Sequence, residues 1–267
     1  MRIVVLCENT TRDEEIIAEH GLSLYIETDS HKILFDMGQT DVFYQNAKKL
    51  KVDLSEVDIA ILSHGHYDHG GGLAKFLEVN DKARIYMNRH AFGAHYNGTE
   101  KFIGLDKTMM DCERICFVDE SLQLDKDVEL ISCNERKLKC PIIPYGLLIK
   151  TEAGFAPERF MHEHYLVLAE AGKRIVVSGC SHKGILNIMD WLRPDVLIGG
   201  FHFMKLDVEK GDARVLQDAA TELLSYKTRY YTGHCTGEKQ YEFLKGYMGE
   251  HLEYIYAGRE LDLSEHL

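Results

Sequence analysis

The run Ser63-His64-Gly65-His66-Tyr67-Asp68-His69-Gly70-Gly71-Gly72 decides how this chain is read. It follows an apolar stretch, Ile59-Ala60-Ile61-Leu62, that has the length and composition of a buried strand. On extended backbone, side chains two apart point the same way, so His64 and His66 share a face. Asp68 and His69 follow where the chain turns towards a helix. Four ligand-type side chains between His64 and His69 would be costly to bury unpaired. Imidazole and carboxylate suit zinc, manganese or iron, and two such sets can hold two ions about 3.5–4 Å apart. The alternative is a solvated His-rich loop. The apolar strand before the run and the glycines after it speak against that.

Working outward, the first half of the chain reads as short strands at Arg2–Cys7, Leu22–Thr28, Lys32–Asp36, Asp58–Ser63 and Ala83–Met87. Helical spacing marks Asp41–Leu50, and Gly72–Val79 reads as a second helix. The second half repeats the recipe. Strands are expected at Leu147–Thr151, Tyr165–Ala169, Arg174–Ser178, Asp195–Gly199, Arg229–Thr232 and Glu253–Tyr256. Helices are expected at Gly184–Arg193, Ala213–Tyr226 and Glu238–Tyr247. Two β-rich halves, each with helices, suggest an α/β fold with two sheets face to face and helices outside. Composition alone does not select that arrangement over another α/β architecture. The stretch from Arg89 to Asp119 is less regular and reads as a cap insertion at about 89–119 within one domain spanning 1–267. With four prolines and no low-complexity tract, no linker to a second domain is visible.

The formal net charge of −12 disfavours a nucleic-acid partner, because phosphate backbones call for clustered Lys and Arg. It leaves room for an anionic small-molecule substrate, since a metal supplies local positive charge. The N-terminal apolar run is too short for a signal peptide, and no stretch reaches the ~20 apolar residues of a membrane span. These features lead us to expect a cytoplasmic protein with no membrane partner; a homo-oligomer is compatible with them. The seven cysteines include no CxxC pair, so reduced thiols are expected. Cys112 and Cys116, four apart, are expected to share a helix face as buried thiols.

The motif resembles the signature of the metallo-β-lactamase superfamily, and the resemblance extends across most of the chain. Phe35-Asp36-Met37-Gly38 resembles the strand end that buttresses that family's metal loop. Val176-Val177-Ser178-Gly179-Cys180-Ser181-His182, Gly199-Gly200-Phe201-His202 and Thr232-Gly233-His234-Cys235-Thr236-Gly237 resemble its late strand ends. The resemblance implies a metallo-β-lactamase-like αββα four-layer sandwich with two divalent ions, zinc first and manganese or iron as alternatives. It implies one ion on His64, His66 and His182, and another on Asp68, His69 and His234. One departure stands out. Where the superfamily usually has a bridging aspartate, this chain has Cys180, which is either a thiolate ligand or a small residue packed beside the site. The family's upstream ligand histidine has no clear counterpart, although His162 and His164 lie near that place.

The combination of Gly-Cys-Ser-His, Gly-Gly-Phe-His and Gly-His-Cys-Thr-Gly, with Glu19-His20-Gly21-Leu22-Ser23, is similar to a narrower branch. That branch includes the archaeal dihydropterin–ribofuranosylaminobenzene phosphate synthase. It implies a substrate pocket for a pterin or sugar phosphate, with His20 and His202 as pocket residues. Two catalytic readings follow: a hydrolase acting on a small, phosphorylated substrate, and a pterin transferase that releases pyrophosphate. A metal-binding protein without turnover is the third. In the first, Asp68 ligates one ion and orients the attacking water, and His202 stabilises developing negative charge. His90 and His95, in the expected cap, read as solvated. Lys183-Gly184 and Gly237-Glu238 each open an expected helix, where an anion can bind. The triple glycine is no phosphate-binding loop of the nucleotide type, because G-x-x-x-x-G-K-[ST] is absent.

Overall fold

The computed structural model describes residues 1–263. Two seven-stranded sheets form its centre. In the first, the strand order is Glu260–Asp262, Arg2–Cys7, Ser23–Glu27, Lys32–Phe35, Ile59–Ile61, Arg84–Asn88 and Ile115–Val118. In the second it is Leu252–Tyr254, Arg229–Thr232, Val196–Ile198, Lys173–Ser178, Tyr165–Glu170, Val128–Ile131 and Ser121–Asp125. Each sheet joins antiparallel hairpins to parallel strands.

The strands read as unbroken apolar runs because both faces of each sheet are covered. In the first strand Ile3 and Val5 face the second sheet, packing in one cluster with Leu166, Leu168, Ile175 and Val177. Val4 and Leu6 point the other way, into a cluster with Phe43 of helix Val42–Lys49 and Phe76 of helix Leu73–Val79. The outer face of the second sheet, with Val176, Leu197 and Tyr230, is covered by helices Ile185–Leu192, Ala213–Leu224 and Glu238–Met248. The result is the expected four-layer αββα order. Each fully buried aliphatic side chain contributes roughly 1.5–3 kcal/mol, so the sandwich is a rigid platform for loops at its edge.

Three features depart from the sequence reading. Ser121–Asp125 and Val128–Ile131 are strands that the sequence reading passed over. The segment expected as a cap divides: Ile115–Val118 is an edge strand of the first sheet, while His95–Asn97 and Lys101–Phe102 join Leu147–Thr151 and Gly154–Pro157 in a small third sheet. Cys112 and Cys116 do not share a helix. Cys112 sits in a turn and Cys116 in the edge strand, both half-buried. The β-branched and aromatic residues of Ile115-Cys116-Phe117-Val118 pair in parallel with Arg84–Asn88, and that pairing overrides the helical spacing.

Candidate metal centre

The histidine loop is held from below by Asp36, which ends its strand in the left-handed region at φ 59. Its Oδ1 accepts the Ser63 N–H at 2.7 Å, and its Oδ2 accepts the Ser63 hydroxyl at 2.7 Å and His69 Nδ1 at 2.7 Å. A hydroxyl that donates to Asp36 is free to accept, and His64 Nδ1 lies 2.7 Å from it. The chain of donors thus runs from His64 through Ser63 to Asp36, with His69 arriving from the other side. Both histidines spend their Nδ1 protons outward and turn Nε2 lone pairs inward. Gly65 is required between them: a Cβ there would lie 1.9 Å from the Ala91 carbonyl oxygen.

Two later loops complete the site. After the strand Lys173–Ser178, the loop carrying Cys180 and His182 is fixed by Glu163, which accepts the N–H of His182 at 2.7 Å and of Lys183 at 3.1 Å. After Arg229–Thr232, His234 donates its backbone N–H to Glu8 at 2.6 Å, and its Nδ1 lies 2.8 Å from Asn9 Oδ1. Asn9 Nδ2 donates to the His234 carbonyl at 3.3 Å, which sets the orientation of that amide. His234 Nδ1–H therefore donates, and Nε2 again turns inward as a lone pair.

Between His69 and His234 the inward atoms meet without a proton to share, since each ring's Nδ1 proton is committed outward. His69 Nε2 lies 3.1 Å from His234 Nε2, and His64 Nε2 lies 3.2 Å from His182 Nε2. Tetrahedral zinc, with Zn–N of about 2.0–2.1 Å, sets its nitrogens about 3.3 Å apart. His64, His66 and His182 offer atoms within 4.8 Å of one another, and so do His64, His69 and Cys180. Asp68 Oδ2 is 3.4 Å from His234 Nε2, 3.9 Å from His69 Nε2 and 3.3 Å from His20 Nε2. His66 Nε2 is buried without any partner, an expensive condition that a cation removes. The donor set fits divalent metal.

Electrostatics agree with that reading. Burial holds His64, His66 and His182 well below the ordinary imidazole range, and His69 at about 3, so all four are neutral near pH 7. Burial alone would raise Asp68, but His69, His20 and His234 around it hold its carboxyl well below the usual range. Burial pushes the Cys180 thiol up; a coordinated ion acts the other way.

The structure brings together every residue that the sequence nominated as a ligand. Cys180 stands among them, with Sγ 3.2 Å from His69 Nε2. His20, half-exposed, reaches Asp68 from the rim. His202 stands at φ 57 with both ring nitrogens unpartnered, its ring 4.2 Å from that of His182. Of the two histidines upstream, His162 packs beside His66, but its Nδ1 accepts the Gly65 N–H at 2.8 Å, so Nε2 carries the proton and offers no lone pair. His164 faces Asn88 instead, at 3.3 Å.

His95 corrects the expectation of a solvated residue. It is buried, with Nδ1 2.8 Å from Glu158 and its ring 4.0 Å from that of His162. The third sheet folds back over the site, and that long-range pairing leaves no local signal. His90 is exposed as expected. Sequence reasoning also missed Glu8, Asn9, Glu163 and Cys235. Cys235 lines the cavity, and its thiol lies 3.3 Å from the Cys180 carbonyl. The cavity above the cluster holds about 200 Å³ and is bordered by His20, His202, Lys101 and Lys205.

This geometry can be set beside known proteins. The sequence model of the metallo-beta-lactamase superfamily matches residues 17–139. The crystal structure of Tm1679, a metal-dependent hydrolase of the beta-lactamase superfamily, superposes with a TM-score of 0.81 at 27% identity, covering 98% of both chains. The chain has the metallo-β-lactamase fold. Among relatives with this resemblance, the Methanocaldococcus jannaschii protein MJ0448 is 28% identical over 217 residues, 76% of this chain and 79% of that one. From the same organism, 7,8-dihydropterin-6-methyl-4-(beta-D-ribofuranosyl)-aminobenzene-5'-phosphate synthase is 28% identical over 266 residues, 91% of this chain and 89% of that one. The metallo-β-lactamase fold places the clustered histidines at one edge of the sheet sandwich, on loops that leave the strand ends. Among the described residues, no helix is long and apolar enough to cross a membrane.

Proposed function

We propose that the protein is a metal-dependent hydrolase of small, phosphorylated substrates, working with two divalent ions, zinc first. The observation that carries this reading is the inward-facing contact of His69 with His234, whose ring protons are committed to Asp36 and Asn9, beside the contact of His64 with His182. His64, His66 and His182 would hold one ion. Asp68, His69 and His234 would hold the other, with Cys180 beside both. Ions held there supply Lewis acidity, which makes water nucleophilic near neutral pH and polarises a phosphoryl oxygen.

The chain's own side chains do the rest. Asp68, kept ionised by the histidines around it, accepts a hydrogen bond from the attacking water and so aligns it. His20, 3.3 Å from Asp68, holds that carboxylate in place. Lys101 and Lys205 at the rim attract the anionic group despite the acidic surface. His202, with free ring nitrogens at the cavity wall, donates to oxygen as charge develops. The experiment is reconstitution with zinc, followed by a panel of phosphomonoesters and phosphodiesters with and without chelator. Chelator-sensitive release of the ester's alcohol or phenol supports the reading. Zinc-loaded protein that hydrolyses none of them overturns it.

A second reading is favoured by the relative that is 28% identical over 91% of this chain. The same site would then bind a pyrophosphate leaving group while a C–N bond forms on a pterin. Stoichiometric pyrophosphate release from a pterin donor and an arylamine acceptor distinguishes it from hydrolysis.

A further inference from the structure

His182 and His202 have two sides. One faces the cavity above the metal centre; the other faces a second, larger cavity of about 470 Å³. That volume lies within the about 300–1,000 Å³ typical of small-molecule sites. Its walls come from the loop before the strand Leu147–Thr151 and from two helices of the outer layer. Ile143, Tyr145, Leu186, Phe203, Val215 and Ala219 line it. Ile143 is 50% and Val215 is 49% exposed, so apolar side chains rim the opening.

We infer that this cavity holds the uncharged, apolar arm of the substrate, an aryl or branched alkyl group, while the phosphoryl group sits over the histidines. The inference rests on the hydrolase reading for the position of the reacting group. Three observations support it. The two cavities share His182 and His202 as a common wall, so one molecule can span both. The His202 ring stands between them, 5.6 Å from Tyr145 on the apolar side and 4.2 Å from His182 on the metal side. Its backbone is held in the left-handed region at φ 57, a conformation uncommon outside glycine and frequent at ligand-binding positions.

The charge pattern decides the chemistry of the arm. The carboxylates at the cavity edge are already paired, Asp218 with Arg214 at 2.9 Å and Glu222 with Lys139. Neither is left to bind a cationic arm. An anionic arm would lose its water against apolar walls, which disfavours it. An uncharged ring gains from burial and stacks on Tyr145 and His202.

The test is calorimetric titration of zinc-loaded protein with 1-naphthyl phosphate and with methyl phosphate, and of metal-free protein with neutral 1-naphthol. The expected result is at least tenfold tighter binding of 1-naphthyl phosphate than of methyl phosphate, and saturable binding of 1-naphthol without metal. Ala219→Trp should fill the cavity and bring the ratio of the two phosphates close to one. Val215→Asp, at an exposed position, should lower the same ratio and serves if the tryptophan variant does not fold. Binding of 1-naphthol with no hydrolysis of any ester leaves the cavity inference standing and removes the hydrolase reading. Equal affinities for the two phosphates, or a ratio unchanged in folded Val215→Asp, overturns the inference.

Discussion

Oδ2 of Asp36 lies 2.7 Å from Nδ1 of His69, and both side chains are fully buried. The contact makes Asp36 the fixed point of the centre, because the same oxygen also takes the Ser63 hydroxyl that orients His64. One carboxylate thereby sets the tautomer of two inward-facing histidines. Asp36→Asn keeps the size but replaces an oxygen acceptor or presents an amide donor to these groups. We expect metal affinity to fall about 10–100-fold, the usual effect of removing such an orienting partner. Chelator competition measures it. Unchanged affinity in a folded variant would show that His69 is oriented by packing alone.

Cys180 decides the character of the second ion site. Its sulfur is 3.2 Å from His69 Nε2 and is buried. Cys180→Asp restores two hard oxygens and should preserve or tighten binding of the ion proposed at Asp68, His69 and His234. Cys180→Ser keeps the size and removes the soft ligand. If Ser loses that ion and Asp keeps it, Cys180 is a ligand; metal content unchanged in Ser identifies it as a packed residue. Elemental analysis of both variants, with thermal melting as a fold check, gives the answer.

Acid should unfold the metal-free protein early. His64, His66, His69, His162, His164 and His182 are all held below the ordinary imidazole value of 6.5 by burial. A group with a depressed folded pKa binds more protons when unfolded, so its stabilisation is complete above about pH 6.5 and is lost as pH falls. The loss runs down towards the folded values, about 4 for His164 and about 3 for His69. Asp36 and Glu163, raised by burial, act in the opposite direction, but six histidines outweigh two carboxyls. The melting temperature of metal-free protein should therefore fall between pH 6.5 and 4, and zinc should shift the fall to lower pH. A flat profile over that range would contradict the neutral, buried state of the cluster.

Much of the fold and of the site is legible in the sequence itself. The strand Arg2–Cys7 was bounded correctly because both its faces are buried and its apolar run stops at Glu8. The His64–His69 run announced itself because its ligands are contiguous. His182 and His234 came through the resemblance, since each follows a strand end with its own glycine. What was not legible came from long-range closure. His95 is buried only because the strand carrying it pairs with Leu147–Thr151, about fifty residues on. Asn9 orients His234 across 225 positions of sequence, a relationship that no local pattern records. The strands Ser121–Asp125 and Val128–Ile131 do alternate polar and apolar residues, but each is short and the charged turn Asp125-Lys126-Asp127 between them reads as loop.

His234→Ala should abolish turnover while leaving the fold nearly intact. The His234 ring offers Nε2 at 3.1 Å from His69 Nε2 and 3.4 Å from Asp68 Oδ2, and its Nδ1 is committed to Asn9. Removing it takes one of three protein ligands from the ion that Asp68 and His69 would share. His64, His66 and His182 remain for the other ion, so we expect the metal content to fall by about one ion per chain rather than to zero. Chemistry that needs both ions then fails, because the water or leaving group loses half of its clamp. The variant also takes the ring N–H from Asn9 Oδ1, which keeps the Gly21 N–H at 3.2 Å, at a cost of about 0.5–1.5 kcal/mol, and the melting temperature should drop modestly even without metal. The two effects separate when metal content and melting are read on one sample. Full metal occupancy with a lowered melting temperature would make His234 a structural residue, with the second ion held by Asp68, His69 and Cys180 alone.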